Sequence, residues 1–170
     1  MYHIDPVKIN NLLLESTKVM ESGLPDNIQI SIRPRKPGYN YRKFTFRGMD
    51  SSITFEIQVN VTSSTHKEFF NLPTQDYLVV VSFYDESSMQ NIWLQELRKD
   101  LNNINSQFRY DVKAGVWKNH PNGKPKWTAL GFALRQSSFG DNSNTYGNLM
   151  RDFLLVSYEP VCRAYQVSRS

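Results

Sequence analysis

Cysteine is almost missing from this chain. Cys162 is the only one in 170 residues, which rules out an intrachain disulfide framework and argues against a cysteine-based zinc site. It reads as a buried thiol rather than a nucleophile. Histidine is also sparse: His3, His66 and His120 are scattered, without the spacing of a histidine metal site. No apolar run approaches the roughly 18 residues that span a bilayer. The start, Met-Tyr-His-Ile-Asp-Pro, lacks a basic segment followed by an apolar one. The expectation is therefore an intracellular, cytoplasmic chain with no signal peptide and no membrane partner. In that setting Asn60-Val61-Thr62 is a chance glycosylation pattern. There is no glycine-rich phosphate loop and no Gly-x-Ser-x-Gly elbow, so neither P-loop nor Ser/His/Asp chemistry has a foothold.

What is present is aromatic and polar. Aromatic residues make up 13% of the chain and hydrophobic residues 39%, enough apolar area for one core in one domain, 1–170. The net charge of +4 is a mild basic bias that admits a polyanionic partner without requiring one.

The most patterned stretch is Thr54 to Ser63. Phe55, Ile57, Val59 and Val61 alternate with Glu56, Gln58, Asn60 and Thr62, so a strand here has one apolar and one polar face. Either the polar row is an ordinary solvated sheet face or it carries chemistry.

Other elements follow from punctuation. Asp5-Pro6 starts a helix, and Gly23 and Pro25 end it, giving a helix over 6–22. Strands are expected at 27–33, 41–48 and 53–62, with a turn at 48–52. A short helix fits 65–72, and Tyr77 to Phe83 reads as a strand buried on both faces. Met89, Ile92, Trp93, Leu97 and Leu101 suit an amphipathic helix, with a strand at 92–94 as the alternative. Residues 118–126 read as a polar loop, 127–135 as a short helix or strand, and 136–147 as a flexible loop. Residues 148–158 are amphipathic and fit either element. The fold class is α+β, or α/β: an αβββαβ core with a mixed sheet of four or more strands and a helix packed on one face.

That order, with Glu56 on the third strand, resembles the core of the PD-(D/E)xK nuclease superfamily. It is similar also to a bacterial domain-of-unknown-function branch, through Phe55, Glu56, Gln58, Asn60, Thr62, Ser63, Tyr77 to Asp85 and Trp93-Leu94. The likeness covers about residues 6–97. It implies a metal-dependent nuclease centre, degenerate or weak, with Mg²⁺ as cofactor if the protein is an enzyme. Glu56 and Asp50 would be the metal ligands, and Glu56, Gln58 and Asp50 the catalytic set, with Gln58 orienting the attacking water. Asp26 is a further candidate for the second acid. The superfamily's lysine is Gln58 in one register and Asn60 in the other. Lys43 and Arg47 stand on the strand where an acid is expected.

Basic residues cluster twice. Arg33, Arg35, Lys36, Arg42, Lys43 and Arg47 fall in one acid-free window with Tyr39 and Tyr41 interleaved, a pattern suited to phosphates and stacked bases. Lys118, Lys124 and Lys126 lie in a segment flanked by Trp117 and Trp127, as in a hairpin with a basic tip. DNA or RNA is the expected partner. The alternative function is a non-enzymatic interaction module, an inhibitor or assembly subunit, whose basic surface meets an acidic protein.

Overall fold

The computed structural model describes residues 2–34, 38–72, 75–119 and 125–170, the side chains of 118, 119, 125 and 126 excepted. Helix α1 runs Pro6–Ser22. Its cap is the one the sequence announces: the Asp5 carboxylate accepts the Val7 amide at 3.0 Å, and Pro6 needs no partner for a missing N–H. Ile9, Leu12, Leu13, Ser16, Thr17 and Met20 form its buried stripe.

Among the described residues six strands follow: β1 Ile30–Ile32, β2 Tyr41–Phe46, β3 Ile53–Val61, β4 Leu78–Asp85, β5 Lys113–Asn119 and β6 Pro125–Arg135. They form one sheet in the order β1-β2-β3-β4-β6-β5. Every pairing is antiparallel. The α+β class and the αβββαβ order therefore hold, but the sheet is not mixed. The apolar run from Tyr77 to Phe83, expected as a buried strand, is β4. It lies in the interior of the antiparallel sheet, between β3 and β6, and all eight of its residues are buried.

Helices α1, α3 (Gln90–Gln107) and α4 (Ser143–Ser168) share one buried cluster with the inner face of the sheet. Phe44, Phe55, Ile57, Val81, Phe83 and Phe132 point into it, as period-2 alternation dictates. Phe153 of α4 is its pin, with ring centroids 5.2 Å from Phe132, 5.6 Å from Phe108 and 6.0 Å from Phe83. α1 and α4 approach closely at Gly147, where an added Cβ would lie 2.5 Å from Val19 Cβ and 2.6 Å from the Ser16 carbonyl oxygen.

Among the described residues, the opposite face is covered only in part. The short helix α2 (Ser64–Phe69), capped by Ser63, packs there with the β5–β6 side of the sheet. Val61, Phe70, Leu78 and Val80 form a second, smaller cluster with Phe69 and Trp117. No helix among the described residues is long and apolar enough to cross a membrane.

Two expectations from the last third are resolved by pairing. Residues 125–135 are strand, and α4 occupies most of what read as loop or ambiguous, preceded by a 3-10 turn at Gln136–Ser138. β5 and β6 make the hairpin that Trp117 and Trp127 suggested.

Candidate functional site

The part of the outer face left open is a cavity of about 310 Å³. Its floor is the sheet itself. β3 contributes Glu56 and Gln58, β4 contributes Val80, Ser82 and Tyr84, and β6 contributes Ala129. Ser82 and Ala129 are short, which gives the cavity depth. Its walls are Tyr41, Tyr84, Trp117 and Trp127, with His66 from α2.

Glu56 is the unusual member. It is only 9% exposed and stands opposite Lys43 in the β2–β3 register. Lys43 Nζ is 3.7 Å from Glu56 Oε2, a loose ion pair. The same ammonium lies 5.0 Å from the centroid of Tyr41 and 5.6 Å from that of Tyr84, so two rings hold it in place. Burial pushes the Glu56 carboxyl up to about 7, against the pull of Lys43 and Arg33 and with a further push from Glu86. Tyr84 is raised strongly, first by burial and then by the charges of Glu56 and Glu86, so its hydroxyl stays protonated.

His66 would be a candidate base only if the fold carried it to Glu56, and the fold does bring it to the same cavity. Burial lowers its pKa to about 4, so the ring is neutral near pH 7. Neutral imidazole fits its partners: Nε2–H donates to Gln58 Oε1 at 2.8 Å, and Nδ1 accepts from the Ser63 hydroxyl. The Trp117 ring meets His66 edge-on at 4.2 Å. His66 thereby fixes Gln58 and α2 over the cavity.

Other sequence candidates are placed elsewhere. Asp50 lies before β3, where it accepts from the Ser52 amide at 2.9 Å and from the Tyr165 hydroxyl at 3.3 Å. It also pairs with Arg169 at 3.5 Å. Burial opposes this, but the Ser52 bonds and Arg169 hold its carboxyl below the usual range. Arg169, the residue that caps α4, forks onto the fully buried Asp85 at 2.8 and 3.1 Å. By alternation with Phe83, Asp85 belongs to the helix side of β4, whereas Tyr84 lines the cavity. Asp50 and Glu56 thus serve opposite sides of the sheet, and the two-acid metal set expected from the sequence does not assemble. Asp26 does not line the cavity either. Among the described residues no three His, Cys, Asp or Glu side chains gather. The Lys43 ammonium stands beside Glu56 where a divalent cation would need further oxygen ligands. The donor set does not fit Mg²⁺, and we derive no step through it.

Asn60 leaves the polar row altogether. A β-bulge between Gln58 and Val61 gives it a φ of +52°. Its side chain accepts from the Ile4 amide and donates to the Ile4 carbonyl, both at 2.8 Å, and its own amide donates to Gln136 Oε1 at 2.8 Å. Asn60 is a joint between the N-terminal segment, β3 and the 3-10 turn.

The basic window divides in the same way. Tyr41 and Lys43 line the cavity, whereas Arg42 alternates to the other side, with its Nε buried and without a hydrogen-bond partner among the described residues. Arg33 bonds Thr54 Oγ1 at 3.3 Å, Arg47 bonds Gln29 at 3.0 Å, and exposed Tyr39 stacks on Tyr41 at 5.2 Å. Arg35, Lys36 and Lys124, with the side chains of Lys118 and Lys126, lie outside the described residues. Cys162 is half-buried, and burial raises its thiol.

Tyr84 was not legible as a site residue, and Trp127 was legible only as an anchor. The signal for Tyr84 lies in the alternation of Val80, Ser82 and Tyr84 within an otherwise apolar strand. No protein-family model matches this chain, and neither a curated protein nor a solved structure matches it.

Proposed function

We propose that this protein binds a planar aromatic ligand in the sheet-face cavity, and that recognition rather than metal-dependent cleavage is its task. The observation that carries this reading is a carboxylate buried on the floor of a 310 Å³ cavity with tyrosine and tryptophan walls. That volume sits at the lower end of small-molecule sites, roughly 300–1,000 Å³. Aromatic walls favour a flat ring, since stacking on one such face contributes about 1–3 kcal/mol for a nucleobase. Polar groups converge on it: Glu56, Lys43, Gln58 and Ser82, the Ser63/Thr65 edge, His66 and the Tyr41 and Tyr84 hydroxyls. Such a site orients a ring by its polar rim.

The test is a panel of nucleosides, pterins and indoles, followed by ligand-observed NMR and tryptophan fluorescence. Binding by at least one class, weakened about tenfold or more in Trp127→Leu, is the expected result, since tenfold corresponds to about 1.4 kcal/mol of lost stacking. Identical behaviour of wild type and variant, or no binding across the panel, would overturn the reading.

A further inference from the structure

Resting on that reading, we infer that the cavity recognises guanine, with Glu56 and Lys43 together reading its Watson–Crick edge. The argument is one of complementarity. Glu56 and Lys43 are cross-strand partners whose charged atoms stand 3.7 Å apart. A carboxylate offers about four lone-pair sites, and one ammonium at that distance leaves most of them open toward the cavity. The pair therefore presents two acceptor oxygens with a donor beside them.

Among the common bases only guanine offers the reverse row. Its N2–H and N1–H are adjacent donors, and O6 beside them is an acceptor. Bound this way, N1–H and N2–H donate to the two Glu56 oxygens while Lys43 donates to O6. Adenine has one exocyclic donor next to an acceptor nitrogen, which would set a lone pair against a carboxylate oxygen. Cytosine places two acceptors beside its single amino group. Uracil has one N–H between two carbonyls. Each of these leaves a buried acceptor unpaired or two acceptors opposed, and such mismatches are costly inside a protein. Hypoxanthine, which lacks the 2-amino group, keeps one of the two donors and ranks between guanine and the rest.

The surroundings suit the same ring. Tyr84 and Trp127 lie 5.8 Å apart at centroids and tilted, Tyr41 lines the cavity nearby, and the short Ser82 and Ala129 leave room at the floor. Lys43 is held by two aromatic faces, so its direction is set before any ligand arrives. Burial keeps the Glu56 carboxyl near neutrality in its titration, which makes the recognition depend on pH.

The experiment titrates the 5′-monophosphates of guanosine, inosine, adenosine and cytidine against wild type, Glu56→Gln and Lys43→Met. Trp117 and Trp127 serve as reporters, at a pH one unit above the Glu56 value of about 7. The expected order is guanosine first by about tenfold or more, inosine next, and the other two last. Glu56→Gln, which keeps the side chain's size, should abolish the preference while leaving weak, base-independent stacking. Lys43→Met should weaken guanosine and inosine monophosphate alike. Equal binding of all four, or a guanine preference that survives in Glu56→Gln, would sink the guanine assignment and leave the aromatic-ligand reading standing. Nucleotides that fail where a pterin or indole binds would do the same. No heterocycle binding at all would overturn both. Guanosine and an oligonucleotide with a 5′-terminal guanosine complete the set. A gain for the oligonucleotide over the monophosphate assigns a strand end as the source, and parity assigns the free nucleotide.

Discussion

Burial acts in opposite directions on Glu56 and His66, two titratable groups of the cavity. Glu56 rises from 4.5 to about 7, and His66 falls from 6.5 to about 4. For Glu56 the folded state holds its proton more tightly than the unfolded chain. Its contribution to stability is therefore complete below pH 4.5 and is lost as pH rises to about 7. For His66 the unfolded chain holds the proton more tightly, so stability is complete above pH 6.5 and is lost as pH falls toward 4. The two slopes oppose each other over most of this range, and wild type alone would show little. Glu56→Gln removes one of them. Its stability relative to wild type should grow with pH across the Glu56 window by an amount on the order of 2 kcal/mol. Urea unfolding of both proteins at several pH values measures this, and a difference that stays flat or shrinks with pH would contradict the buried carboxyl.

Among the elements, the contact between α1 and α4 is set by a missing side chain. Gly147→Ala would place a methyl 2.5 Å from Val19 Cβ and against the Ser16 carbonyl. Overpacking of this kind costs about 1–3 kcal/mol. Gly115→Ala in β5 would meet the Phe69 ring at 3.4 Å and the Arg98 guanidinium at 4.0 Å, ordinary contacts, and should change stability by less than about 0.5 kcal/mol. Thermal denaturation should separate the two variants, and equal midpoints would mean the helices can part at little cost. Gly147 also shows why α4 was not legible. A glycine inside it, a Ser/Asn-rich start and Pro160 all argue against a helix, and only packing against α1, α3 and the sheet overrides them. α1, by contrast, carries its own start and stop. Glu56 and Gln58 were readable as one polar face because alternation is local. The bulge that takes Asn60 out of that row is fixed by Ile4 and Gln136, far away in sequence. Tyr84 and Trp127 are neighbours only through the β4–β6 register, which no local pattern encodes.

At the scale of the whole molecule, the basic side chains among the described residues serve separate places. Lys43 serves the cavity, Arg42 the other side of the sheet, Arg47 the edge near Gln29, and Arg169 the buried Asp85. A strand held by one base in one cavity touches few of them. Binding of a guanosine-ended oligonucleotide should therefore depend weakly on salt. One or two phosphate contacts give a logarithmic slope of about −0.7 to −1.4 for single strands. A slope steeper than about −3 would mean that a broad cationic surface carries the affinity instead.

β4 carries a further consequence. All eight of its residues are buried, and it is hydrogen-bonded on both edges, to β3 and to β6. With both edges paired, fraying at the sheet's margins leaves its backbone hydrogen bonds in place. Exchange of its amide protons requires the sheet to come apart as a whole, so these protons keep time for the entire fold. The cavity is floored by this same strand, and a ligand seated there slows that clock by whatever free energy its binding adds to the native state.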